Sequence, residues 1–158
     1  AATSSLTAPW EIVNPPEIPL VNKVAGDVTG PIVGGNLTSF VGSLGTSFEI
    51  NTEGKILCLE ETHEPINTVY RYLSHLKLAG KFEDCIGILM GECTNCEPAY
   101  GVNYNELIDE FLVPLGKPLM TNLATAHGRF KAAIPIGANV RMNTAERKLT
   151  VIESVVSP

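Results

Sequence analysis

The chain has 158 residues and a mass of 16.9 kDa, room for one ordinary domain and little beyond it. Apolar residues make up 44% and charged ones 18%, which excludes global disorder and supplies a real core. Eleven Lys and Arg against 17 Asp and Glu leave a net charge of −6, so a nucleic-acid partner held by clustered cations is excluded.

Residues 1–30 read as an irregular linker arm, because Pro9, Pro15, Pro16, Pro19 and Pro31 crowd the start of the chain and resist helix and central strand. Trp10, the single tryptophan, reads as an anchor pinning this arm to the domain that fills residues 31–158. Leu37, Phe40, Val41 and Leu44 then recur at helical spacing, with Asn36 as N-cap and Gly45 placed to end the helix.

Residues 56–59 form an uninterrupted apolar run ended by Glu60 and Glu61, the pattern of a strand covered on both faces. Pro65 opens the next helix from its first turn, Ile66, Val69, Tyr70, Leu73 and Leu76 carry its buried stripe, and Gly80 closes it. Residues 85–90 read as a second buried strand ending at Gly91 and Glu92, followed by a loop holding Cys93 and Cys96. Asn103 and Glu106 stand at capping-box spacing ahead of Tyr104, Leu107, Ile108, Phe111 and Leu112. Residues 118–121 read as a short strand, and the last third as strands alone, over 132–136, 138–143 and 148–153. Strands alternating with helices and then consecutive strands predict an α/β fold with an antiparallel portion.

No apolar run approaches the roughly 18 residues of a membrane span, and no signal or transit segment is visible. Ala1 in place of a Met points to a processed product or a fragment. Four cysteines are too sparse for a disulfide scaffold, which predicts a reduced, cytoplasmic chain.

Three groupings compete for chemistry. Cys93 and Cys96 form a C-x-x-C without a second ligand pair for zinc and without the helix start that redox chemistry needs, so they read as incidental loop cysteines. A cysteine nucleophile beside a histidine is disfavoured by Glu92, whose charge opposes thiolate formation at Cys93. The third grouping is an acid and a histidine. Glu60 lies at the end of a buried strand, where α/β sheets place working residues, and His127 lies in a turn before the terminal strands. His63 sits in a short connection and His75 on the polar side of its helix. No serine has the context of a nucleophile elbow, so these residues amount to half an active site at most.

From Gly34 onward the chain resembles the LD-carboxypeptidase family, which includes murein tetrapeptide carboxypeptidases and microcin self-immunity proteins. The resemblance rests on ordered motifs: Gly34-Gly35-Asn36-Leu37, Leu44-Gly45-Thr46, Gly54-Lys55-Ile56-Leu57 running into Leu59-Glu60-Glu61, and Gly87 to Gly91. His127 follows, with Ile134-Pro135-Ile136-Gly137 at the family's spacing after it.

The resemblance implies a two-domain serine peptidase with a Ser-His-Glu triad, of which this chain carries only the C-terminal domain, a swivelling β/β/α-type fold. Glu60 matches the triad acid and His127 the base, while the serine and its oxyanion donors belong to an N-terminal domain that is the implied partner. The implied substrates are muropeptides cleaved between an L-residue and a D-amino acid, or aminoacyl nucleotides in the immunity branch. Glu92 lies near the position where immunity proteins hold the substrate amine, and a homodimer is implied. No cofactor, metal, membrane or nucleic-acid partner is expected. The rival expectation is a free-standing binding module that holds an amine ligand or protein partner without turnover. Strand alternation puts Glu60 on the side of Ile56 and Cys58 and Glu61 on the other, so only one of the two acids can meet His127.

Overall fold

The computed structural model describes residues 9–155. Eight strands make one mixed sheet, β1 (Trp10–Glu11), β2 (Val21–Val24), β3 (Asp27–Asn36), β4 (Ile56–Thr62), β5 (Gly87–Thr94), β6 (Leu119–Leu123), β7 (Asn139–Asn143) and β8 (Lys148–Val151). Their spatial order is β1-β8-β7-β3-β4-β5-β6-β2. The block β3-β4-β5-β6 is parallel, and the flanking pairs are antiparallel. Four helices connect the strands: α1 (Leu37–Gly42), α2 (Ile66–Leu78), α3 (Lys81–Asp84) and α4 (Tyr104–Phe111).

The two faces of the parallel block have different covers, and strand alternation decides which residue meets which. Leu57 and Leu59 of β4, with Ile88 and Met90 of β5, pack against α1, α2 and α4 through Leu37, Phe40, Val69, Leu73 and Ile108. Ile56 and Cys58 point the other way, into a cluster with Leu89, Met120, Val140, Met142, Leu149 and Val151. The antiparallel strands β7 and β8 therefore supply the second cover, and the core is closed on both faces.

β3 belongs to both parts. Its first half, Asp27 to Pro31, pairs antiparallel with β7, and its second half, Ile32 to Asn36, pairs parallel with β4. Pro31 stands at the changeover, where a residue without an N–H costs the ladder least.

Several sequence expectations change. The stretch read as an irregular arm contributes β1, β2 and the start of β3, because Pro15, Pro16 and Pro19 fall between β1 and β2, where Asn14 and Leu20 tie the connection down. Trp10 pairs with Val151 and packs on the second cluster, so it anchors the arm through β8. β4 continues through Glu60 and Glu61 to Thr62, since both acids are buried and partnered rather than marking the strand's end. β5 is shifted to Gly87–Thr94 and takes in Cys93. Residues 132–136 are irregular: Pro135 and a tight Ile136-to-Ile134 bond turn the chain back toward β3. Pro65 is the N-cap of α2 and not part of its first turn. α1 stops at Gly42, where the Ser43 hydroxyl closes onto the Phe40 carbonyl, and Gly45 (φ +76°) lies in the turn beyond.

The Asn36 cap of α1, the Gly80 stop of α2 (φ +77°) and the Asn103–Glu106 capping box of α4 form as expected.

Candidate active site

Glu60 lies near the carboxyl end of β4 and is 6% exposed. Its Oε2 is 3.0 Å from Nδ1 of His127, across a separation of 67 residues. The His127 side chain is 54% exposed, so one edge of the ring is held in the protein and the rest is open. With Nδ1 donating to the carboxylate, a neutral ring carries its proton there and presents Nε2 as an acceptor. A carboxylate that fixes a histidine tautomer and leaves Nε2 free is the orienting half of a nucleophile–base–acid triad.

Two irregularities in the sheet bring these groups together. Between β4 and β5 the register runs from Leu59↔Met90 to Glu61↔Cys93, so β5 carries one extra residue opposite Glu60. Between β5 and β6 it runs from Leu89↔Met120 to Gly91↔Leu123, so β6 carries the next, at a left-handed Asn122 (φ +74°). Bulges of this kind bend strands and re-aim side chains. Gly91 makes the close approach possible, because a Cβ there would lie 2.9 Å from the Cβ of Glu60. Its carbonyl accepts from the buried Tyr104 hydroxyl at 2.8 Å.

Glu92, the other bulge residue, brings its carboxylate against Gly128, where any Cβ would collide with it. The structure thus brings Glu92 beside the turn of His127. Its Oε2 is buried and has no hydrogen-bond partner among the described residues.

Glu61 faces the opposite side. It accepts from Asn36 Nδ2 at 2.9 Å, from the Thr38 amide at 2.9 Å and hydroxyl at 2.7 Å, and from the Thr62 amide at 2.9 Å. That is a structural carboxylate tying β4 to the start of α1.

An open pocket of about 350 Å³ adjoins Glu60, bounded by Asn36, Cys58, Ala126, Ile134 and Ile136. Burial, reinforced by the charge of Glu60, pushes the Cys58 thiol up to about 12, so it is a neutral wall and not a nucleophile. Burial also raises the Tyr104 phenol, with Cys58, Glu60 and Glu61 adding to it, which keeps it a hydrogen-bond donor to Gly91. The depression of about 390 Å³ between α2 and α4 is larger but lined by Ile66, Tyr70, Tyr100, Val102 and Leu107, with no histidine to work as a base.

The remaining candidates fall elsewhere. His63 bonds Thr62 Oγ1 and Asn95, and His75 sits in the last turn of α2. Cys93 and Cys96 are joined in a disulfide, which corrects the expectation of incidental reduced cysteines. The turn through Thr94 and Asn95 brings their Cα atoms to 5.5 Å, inside bridging range. Among the described residues no group of three or more His, Cys, Asp or Glu could hold a metal ion. Sequence reasoning missed Thr125, whose hydroxyl bonds the Ala132 carbonyl behind His127, and Asn14, which holds the exit of β6 through the Asn122 carbonyl and the Ala124 amide. Neither carries a sequence signal, since both act through partners distant in the fold or in a loop.

Comparison with known proteins gives one consistent answer. Residues 29–142 match the LD-carboxypeptidase C-terminal domain. The chain is 38% identical over 142 residues to the probable murein peptide carboxypeptidase of Bacillus subtilis, covering 88% of this chain and 44% of that protein. It is 27% identical over 137 residues to the microcin C7 self-immunity protein of Escherichia coli, covering 84% of this chain and 39% of that one. Among solved structures, the muramoyltetrapeptide carboxypeptidase of Oxalobacter formigenes superposes with a TM-score of 0.71 at 26% identity, over 84% of this chain and 48% of that one. The chain spans less than half the length of these relatives.

Proposed function

The chain belongs to the LD-carboxypeptidase family, in its C-terminal domain, and from that premise we propose that it supplies the acid and base of a Ser-His-Glu triad whose serine resides in an N-terminal domain. His127 takes the serine proton through Nε2 and later returns it to the leaving amine; Glu60 holds the tautomer and stabilises the imidazolium. The oxyanion donors come with the serine. The observation that carries this reading is the 3.0 Å contact between Glu60 and Nδ1 of a half-open His127.

The substrates proposed are amides joining an L-residue to a D-amino acid in muropeptides, or aminoacyl-nucleotide analogues. Glu92, with a buried and unpartnered carboxylate oxygen beside the His127 turn, is the group proposed for a substrate amine. That same oxygen is what favours the second reading, a module that binds an amine without turnover. The proposal includes a homodimer and a cytoplasmic location, the latter on sparse cysteine content; the Cys93–Cys96 disulfide pulls toward an oxidising compartment.

The test is complementation. This chain, mixed with or fused to the N-terminal domain of a relative, is expected to release D-amino acid from L,D-muropeptides, and His127→Ala to abolish release. The chain alone is expected to be silent. Turnover by the chain alone, lost on mutating one of its own serines, would overturn the assignment.

A further inference from the structure

His127 sits in a turn that an L-residue adopts only under constraint. Ala126, immediately before it, has φ +54°, a left-handed conformation that is unfavourable for a non-glycine residue. Such a conformation persists only where its surroundings over-determine it. Three contacts of one residue do so here. The Thr125 hydroxyl donates to the Ala132 carbonyl at 3.0 Å, across the mouth of the loop. The Thr125 carbonyl accepts from the Gly128 amide at 3.2 Å, closing the turn around Ala126 and His127. The Thr125 methyl lies against Gly91, in the same space that lets Glu60 approach. The Ala132 amide completes the loop's closure by donating to the Ala124 carbonyl at 2.8 Å.

We propose that Thr125 is the positioning residue of His127, its hydroxyl, carbonyl and methyl together holding the strained turn that presents the imidazole to Glu60. Thr125 touches no reacting atom; it acts through the loop. A β-branched residue with a hydroxyl is what the position requires, because the methyl packs on β5 while the oxygen spans the loop. Valine keeps the shape and leaves the Ala132 carbonyl without its donor; serine keeps the donor and leaves out the methyl.

The inference rests on the reading of His127 as the base, and its test is separable from that reading because no substrate is needed. Histidine-labelled chain is examined by NMR at a pH where the ring is neutral, and the nitrogen shifts report the ratio of Nδ1–H to Nε2–H forms. For His127 the Nδ1–H form is expected to dominate in the unaltered chain and to fall less in Thr125→Ser, which loses only the methyl, than in Thr125→Val. In Thr125→Val the ratio is expected to fall roughly fivefold, the equivalent of one lost hydrogen bond. Thermal unfolding of each variant checks that it is folded. An unchanged ratio in Thr125→Val, or an equal fall in Thr125→Ser, overturns the proposal. Where Thr125→Val does not fold, amide exchange in the unaltered chain decides: protection of Gly128 and Ala132 supports the clamp, and exchange at free-loop rates overturns it.

Discussion

Glu60 and Glu61 are neighbours in β4, both buried, and serve opposite faces of the sheet: one carboxylate meets the imidazole of His127, the other closes onto Asn36 and Thr38 at the start of α1. The same pair of residue types therefore does two unrelated jobs, and the pleat assigns them.

Substituting each by glutamine separates the jobs. In a complemented enzyme, Glu60→Gln is expected to lose on the order of 10⁴ in kcat, as when a triad acid can no longer fix the histidine tautomer. Glu61→Gln is expected to leave kcat within an order of magnitude and to cost the fold about 1–3 kcal/mol, because an amide cannot accept at both of its ends. Turnover assays and urea unfolding measure the two; equal rate losses contradict the assignment.

Glu92 predicts a trade between stability and binding. Its buried oxygen has no partner among the described residues, so Glu92→Met, which removes that oxygen and keeps the volume, is expected to stabilise the chain by about 1 kcal/mol in urea unfolding. In the complemented enzyme the same change is expected to raise KM for an amine-bearing aminoacyl nucleotide roughly tenfold with kcat nearly unchanged. Steady-state kinetics that show a fall in kcat alone would remove Glu92 from the binding role.

The thiols give a chemical count and a pH profile. Unreduced, denatured chain is expected to react at Cys58 and Cys85 only, and native chain at neither, because both are buried and their thiols are raised by burial. The folded Cys58 keeps its proton up to about pH 12, whereas the unfolded thiol ionises near its ordinary value of 9.0. Between those values the folded state binds more protons, so stability falls as pH rises, by about 1.4 kcal/mol per pH unit for this group. Cys58→Ala is expected to flatten the alkaline limb of the unfolding curve by that amount.

Ala126→Gly tests the strain in the turn. Relief of the left-handed alanine, about 1–2 kcal/mol, outweighs the 0.5–1 kcal/mol that glycine loses through unfolded-state entropy. A small net gain in thermal stability is expected. A loss of more than about 1 kcal/mol would mean that the Ala126 methyl packs productively and the turn is not strained.

What could be read from the sequence was local. The Asn36 cap and the Asn103–Glu106 box announce themselves because donor and acceptor stand three residues apart. Glu60 and Glu61 read as the end of a strand because a carboxylate is a poor core residue until its partners are known, and those partners come from β3, α1 and the His127 turn. The meeting of Glu60 with His127 was legible only through family resemblance; no periodicity relates residues that far apart. The same distance hides β2, whose partner β6 lies about a hundred residues downstream, behind prolines that argue against a strand. The Cys93–Cys96 bridge was missed for a different reason: composition argued about compartments, whereas the pairing follows from a short turn.

The divided pairing of β3 also governs the order in which the molecule can be completed. One half of the strand finds its partner within the next thirty residues, but Asp27 waits for Asn143. A chain emerging from the ribosome can therefore form the parallel block early while the first half of β3 stays an unpaired edge until residues 139–143 are made. During that interval the apolar face of Ile56, Cys58 and Leu89 is uncovered as well, since Val140, Met142, Leu149 and Val151 have not yet arrived. A chain cut ahead of residue 139 would thus leave that face without four of its apolar partners, and the pairing of β7 with β8 is what completes its cover.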